Sequence, residues 1–140
     1  FILKKFIFIL FILVLFTSNV MAFNDLEAEY IVNELKEELP MTNIKVFNAE
    51  NDPNEFLGRP GQYIGKASWK DSRFEDAGGT VEVFKDNKDL QNRKEYLESV
   101  FEEYPTYLQY IYVHKNAILR VDKNLTPDQA EEYKLNLDKL

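Results

Sequence analysis

The sequence predicts a single α+β domain: a mostly antiparallel sheet of about five strands with about three helices, in the order α-β-β-β-α-β-β-α. Three observations predict it. Segments with apolar residues every three to four positions are interleaved with short segments of period two. Prolines and glycines fall between those segments and punctuate them. Strands come in runs, three and then two, with one helix between the runs, which suits one sheet with helices packed on a face.

In chain order, Asn24 or Asp25 caps a first helix that runs to about Leu39, where Pro40 stops it. Leu26, Tyr30, Ile31, Leu35 and Leu39 form its expected buried stripe. Glu27, Glu34, Glu37 and Glu38 fall opposite, a solvated stripe and not a metal site. Asn43 to Phe47 reads as a short strand. Asn48 to Gly61 holds two prolines and two glycines among polar residues, so it is a long irregular loop. From Tyr63 to Trp69 the chain alternates again, with Tyr63, Gly65, Ala67 and Trp69 expected on one side and Ile64, Lys66 and Ser68 on the other. A polar loop from Asp71 to Gly79 leads to a strand from Thr80 to Phe84.

Asp86 or Asn87 opens the second helix, which is expected to bury Leu90, Leu97, Val100, Phe101 and Tyr104 before Pro105 ends it. Leu108 to Val113 and Ala117 to Val121 flank His114-Lys115-Asn116 and form a hairpin. Thr126-Pro127-Asp128-Gln129 starts the last helix, with Thr126 and Gln129 as a capping box and Pro127 in the first turn. The strand-helix-strand-strand series from Thr80 to Val121 suits half of a ferredoxin-like fold, as it does many other α+β sheets.

Residues 1–22 read as a cleavable export signal. Lys4 and Lys5 are followed by eleven apolar residues from Phe6 to Phe16, then by Thr17-Ser18-Asn19 and Val20-Met21-Ala22. The small residue before Phe23 places the cut between Ala22 and Phe23. Position 1 is Phe, so the basic region is expected to extend upstream. The alternative is a retained membrane anchor. Eleven helical residues reach only about 16 Å of a hydrocarbon core about 30 Å thick. Extending the helix through Thr17, Ser18 and Asn19 to Phe23 reaches 18 residues, a marginal length interrupted by three polar positions. No cysteine follows the cut, which excludes lipid attachment. The expected location is secreted, or the outer face of the cell envelope, with membrane contact only through an uncleaved signal segment.

Removing 22 residues from 140 leaves a 118-residue domain, 23–140. A chain of that length folds as one unit without covalent staples. The signal carries two lysines and no acid, so the net charge of −7 becomes −9. Such a domain repels nucleic acid and anionic lipid, and neither is expected as a partner. The absence of cysteine excludes disulfides, thiolate metal sites and cysteine nucleophiles.

No catalytic group is predicted. The one histidine, His114, lies at a hairpin tip and cannot build a multi-histidine metal site. No serine stands in a nucleophile elbow, and no glycine cluster precedes a helix in a phosphate-binding pattern. Asp86, Asn87 and Asp89 lack the one-three-five spacing of calcium ligands and suit a helix N-terminus. No metal or cofactor is expected.

One constellation stands out: Leu57-Gly58-Arg59-Pro60-Gly61-Gln62-Tyr63, followed by Trp69-Lys70-Asp71-Ser72-Arg73. Gly58 and Gly61 around Pro60 specify a tight turn. Arg59 and Arg73 bracket a strand that carries Tyr63 and Trp69, with Asp71 close by. Two arginines beside exposed aromatics suit a carboxylate or a sugar, making Arg59, Tyr63, Trp69, Asp71 and Arg73 the candidate ligand-binding residues. Equally, Trp69 can be core, with Arg73 pairing Asp71 or Glu75 to pin the loop.

These motifs, with GGTVEVF at 78–84, RKEYLES at 93–99 and the LTP helix start at 125–127, resemble an uncharacterised domain family of exported proteins and lipoproteins of Gram-positive bacteria. The resemblance covers roughly Asn51 to Tyr133 and implies location and fold but no reaction. Its match at Arg93 implies that Arg93 and Glu82 together support the turn. The function expected is a non-enzymatic exported domain that binds a ligand or protein at the cell envelope. Two alternatives stay open. One is a small secreted inhibitor or chaperone-like partner that docks the 48–61 loop on an enzyme. The other is a hydrolase using Asp71 with Glu75 or Asp76.

Overall fold

Each predicted segment of alternation or helical periodicity becomes an element. A computed structural model describes residues 26–140. The expected signal, its cut at Ala22 and the proposed caps Asn24 and Asp25 lie outside those residues; the first described helix starts later than expected, with Glu27 at its N-cap and no side-chain cap bond. The described elements are α1 (Ala28–Glu38), β1 (Met41–Phe47), β2 (Gly65–Asp71), β3 (Gly78–Val83), α2 (Asn87–Glu103), β4 (Gln109–His114), β5 (Ala117–Asp122) and α3 (Pro127–Leu137), with a 3-10 turn at Pro105–Tyr107. Among the described residues no helix is long and apolar enough to cross a membrane.

The five strands form one sheet in the order β1-β2-β3-β5-β4, and all four neighbouring pairs run antiparallel. The chain leaves β3, passes through α2 to the far edge at β4, and returns as β5 between them. That split strand-helix-strand unit is the half ferredoxin-like arrangement the sequence implied.

The helices do not share one face, as a single helical layer would require. Ala67, Trp69, Val81, Val83, Ala117, Leu119 and Val121 point to the side covered by α1 and α3 and build the larger core. On the other side Ile118 and Phe84 pack with Leu90 and Leu97 of α2 and with Tyr63. Successive strand residues face opposite sides, so β5, with Ile118 between Ala117 and Leu119, needs an apolar cover on both.

Element ends follow local chemistry. Asp86 caps α2 by accepting a hydrogen bond from the Asp89 N–H at 2.9 Å. Thr126 and Gln129 close the predicted capping box at 3.2 and 3.0 Å. The β4–β5 turn contains only Lys115 and Asn116, because His114 and Ala117 already pair. His114 Nε2–H donates to the Leu140 main-chain oxygen, 3.0 Å away. Strand β1 starts two residues early and carries a bulge between Thr42 and Lys45, with Asn43 at φ +50°.

Two aromatic placements differ from expectation. Tyr30 is exposed, since Ala28, Ile31, Val32 and Leu35 form the buried stripe of α1 and Tyr30 falls beside it. Tyr104 is also exposed, at the C-cap where α2 ends at Glu103 and the 3-10 turn begins. Of the late tyrosines, Tyr107 is exposed while Tyr110 and Tyr112 pack against the larger core.

Candidate functional site

The Arg59-Pro60-Gly61-Gln62 sequence makes a tight turn, with the Gln62 N–H bonded to the Arg59 carbonyl at 3.1 Å. Pro60 and Gly61 take its central positions, and Gly61 has φ +77°, the pattern of a type II turn. Gly58, at φ +80°, closes a wider loop by donating to the Tyr63 carbonyl at 2.9 Å.

Beneath this turn lies Asp52, only 3% exposed. Its carboxylate accepts from the Phe56 and Leu57 N–H groups, each at 3.0 Å, from the Tyr63 hydroxyl at 2.7 Å and from Lys66 Nζ at 2.9 Å. Burial alone would raise the Asp52 carboxyl, but the bonds from Tyr63, Lys66 and the backbone outweigh it and hold it well below the usual carboxylate range. Burial and the bond to Asp52 push the Tyr63 hydroxyl up.

A second buried carboxylate ties α2 to the sheet. Glu82 of β3 is fully buried and receives Arg93 Nε at 3.0 Å and Nη2 at 2.9 Å, a bidentate pair. Arg120 of β5 donates to the same carboxylate at 2.9 Å. The Arg93 guanidinium also lies between two rings, 5.7 Å from the centre of Tyr63 and 5.6 Å from that of Tyr96. Arg93 therefore packs against Tyr63, the residue that follows the turn.

Between the turn and α2 opens a cleft of about 290 Å³, lined by Phe56, Gly61, Gln62, Asn92, Arg93 and Tyr96. Phe56 and Tyr96 are exposed at its rim, 36% and 57%. Its two walls are anchored independently, the turn by Asp52 and the helix by Glu82. Such pre-set polar and aromatic groups around a concavity are what a small-ligand site requires.

The structure separates the five residues that the sequence grouped. Tyr63 is fully buried behind the cleft, edge-on to Phe84 at 6.5 Å. Arg59 is exposed at the turn tip and does not line the cleft. Trp69 lies in the larger core on the opposite side of the sheet, 3% exposed and stacked on Tyr133 at 5.6 Å. The expected sharing of one side by Tyr63 and Trp69 fails because the chain bends at Ile64, before β2 starts.

Asp71 and Arg73 stay together, but as an internal clamp. Both Asp71 oxygens bind Arg73, at 3.0 and 2.9 Å, and one also receives the Tyr133 hydroxyl at 2.7 Å. Arg73 continues to Glu132 of α3 at 2.7 Å. Burial would raise the Asp71 carboxyl, and the Arg73 and Tyr133 bonds more than offset it, leaving it depressed. Glu75 and Asp76 are exposed beyond this clamp.

Sequence reasoning missed Asp52, Lys66, Asn92 and Tyr96. For Asp52 a signal existed in Asn51-Asp52-Pro53-Asn54, a turn-forming run in which an Asp binds nearby backbone N–H groups. Asn92 carried no such signal, and Tyr96 lay in the RKEYLES run without anything there to mark it as facing the turn. Comparison with protein-family models, curated proteins and solved structures found no match, so geometry alone carries the functional reading.

Proposed function

We propose that the chain is an exported, non-enzymatic domain that binds a ligand or protein at the bacterial cell envelope through the cleft between the 56–62 turn and α2. The observation that carries this reading is the cleft itself, an open concavity with exposed aromatics whose walls are held by separate buried ion pairs. Anchored walls lose little freedom on binding, so contact energy appears as affinity. The leader-like first 22 residues and the resemblance of the turn motifs support the location. A binding role without chemistry is favoured over a hydrolase because the Asp71 oxygens are committed to Arg73 and Tyr133.

The test is retention of the protein on purified cell walls of the producing bacterium. Wild-type protein should co-sediment, and Tyr96→Ala and Asn92→Ala should abolish retention while the far-UV circular dichroism is unchanged. Failure of the wild type to bind, or equal retention of the folded variants, overturns the reading. The pinned 48–61 loop, with Phe56 exposed, also suits docking to an enzyme as an inhibitor. Protease protection of that loop only in the presence of a protein partner would favour that second reading.

A further inference from the structure

Asp89, Asn92, Arg93 and Tyr96 stand at positions i, i+3, i+4 and i+7 of α2, so they form one stripe facing the turn. The last three line the cleft. Asp89 continues the stripe, and its Oδ1 lies 3.9 Å from where a Cβ on Gly61 would stand. Its side chain is nine-tenths buried, yet Oδ2 has no hydrogen-bond partner. Lys85 approaches only to 3.8 Å, too far for a hydrogen bond. At that distance Lys85 compensates the charge at Oδ2, while Oδ1 is the oxygen turned toward Gly61. Because residue 61 is glycine, no side chain stands between Oδ1, the carboxylate oxygen nearer the turn, and the cleft floor.

We propose that the cleft takes a neutral, hydroxyl-rich ligand, a sugar ring of an envelope saccharide, which stacks on Phe56 and Tyr96 and hydrogen-bonds to Asp89, Asn92 and Gln62. This rests on the ligand-binding reading above and names its substrate class. Aromatic faces match the C–H faces of a sugar ring, and two amides with a carboxylate match adjacent hydroxyls that both donate and accept. Charge decides against the alternatives. A cationic ligand meets Arg93, which already occupies a face of Tyr96 at 5.6 Å. An anionic one meets Asp89 in a chain of net charge −7. A cavity of 290 Å³ lies at the small end of ligand sites and suits one or two rings.

The experiment is calorimetric titration of the protein with N-acetylglucosamine and glucose trisaccharides, against a uronate trisaccharide and a glucosamine trisaccharide. A neutral trisaccharide should bind saturably and at least tenfold tighter than the charged ones. Asp89→Asn and Tyr96→Ala should each weaken it tenfold or more with an unchanged urea midpoint, while Tyr96→Phe, which keeps the ring, retains binding. Preference for a charged trisaccharide, or unchanged affinity in Asp89→Asn, overturns the assignment. If no neutral trisaccharide binds while cell-wall retention persists and depends on Tyr96, the sugar assignment fails and the binding reading stands. If wall retention is absent as well, both fail.

Discussion

Asp52→Asn isolates the buried anchor of the turn. The substitution keeps size and one acceptor oxygen but removes the charge opposite Lys66, which is 5% exposed and 2.9 Å from Asp52. Removing one partner of a buried pair costs about 3–5 kcal/mol, because the other charge is left uncompensated. The expected loss is therefore about 3–5 kcal/mol, a large part of the roughly 5–15 kcal/mol that stabilises a domain. Urea unfolding followed by circular dichroism measures it, with the denaturant slope unchanged. The double variant Asp52→Asn/Lys66→Met removes the stranded ammonium, and its loss should be about 2 kcal/mol smaller than the sum of the single losses. A loss below about 1 kcal/mol in the single variant, or strict additivity in the cycle, refutes the argument that the pair acts as one buried unit.

Three further outcomes follow from the same geometry. Asp52 and Asp71 titrate below the ordinary carboxylate range when folded, so their contribution is complete above the unfolded value of about 4 and is lost as pH falls below it. The urea midpoint should therefore hold from pH 8 to about 5 and drop steeply below about 4, and Asp71→Asn should flatten that acid limb. Glu82→Gln leaves Arg93 and Arg120 facing a neutral amide and should cost about 3–5 kcal/mol by urea unfolding. In Gly79→Ala the new methyl group would overlap the Trp69 ring and the Arg120 carbonyl, costing about 1–3 kcal/mol. Since Trp69 is the single tryptophan, its fluorescence should shift to the red in that variant; an unshifted spectrum at wild-type stability would show that the pair does not pack so closely.

Much of the architecture is legible locally. Pro40 and Pro105 stop helices, Asp86 and Thr126 start them, and Gly61 after Pro60 makes its turn, because each acts through backbone chemistry within a few residues. The Glu82–Arg93 pair was also within reach, since a Glu between Val81 and Val83 must face the side opposite to theirs. The grouping of Arg59, Tyr63, Trp69, Asp71 and Arg73 was not. It assumed that strand alternation runs unbroken back to Tyr63, whereas the bend at Ile64 sends Tyr63 under α2 and leaves Trp69 with Tyr133.

The sequence by itself determined the element order, the caps of α2 and α3, the Pro60-Gly61 turn, and the alternation within each strand, for these depend on neighbours along the chain. Only the tertiary structure decided that helices cover both faces, that Asp52 and Asp71 serve as separate buried anchors, and that Asn92 and Tyr96 meet the 56–62 turn. Those outcomes depend on which distant residues share a side of the sheet, and a single bend reverses that choice for every residue before it.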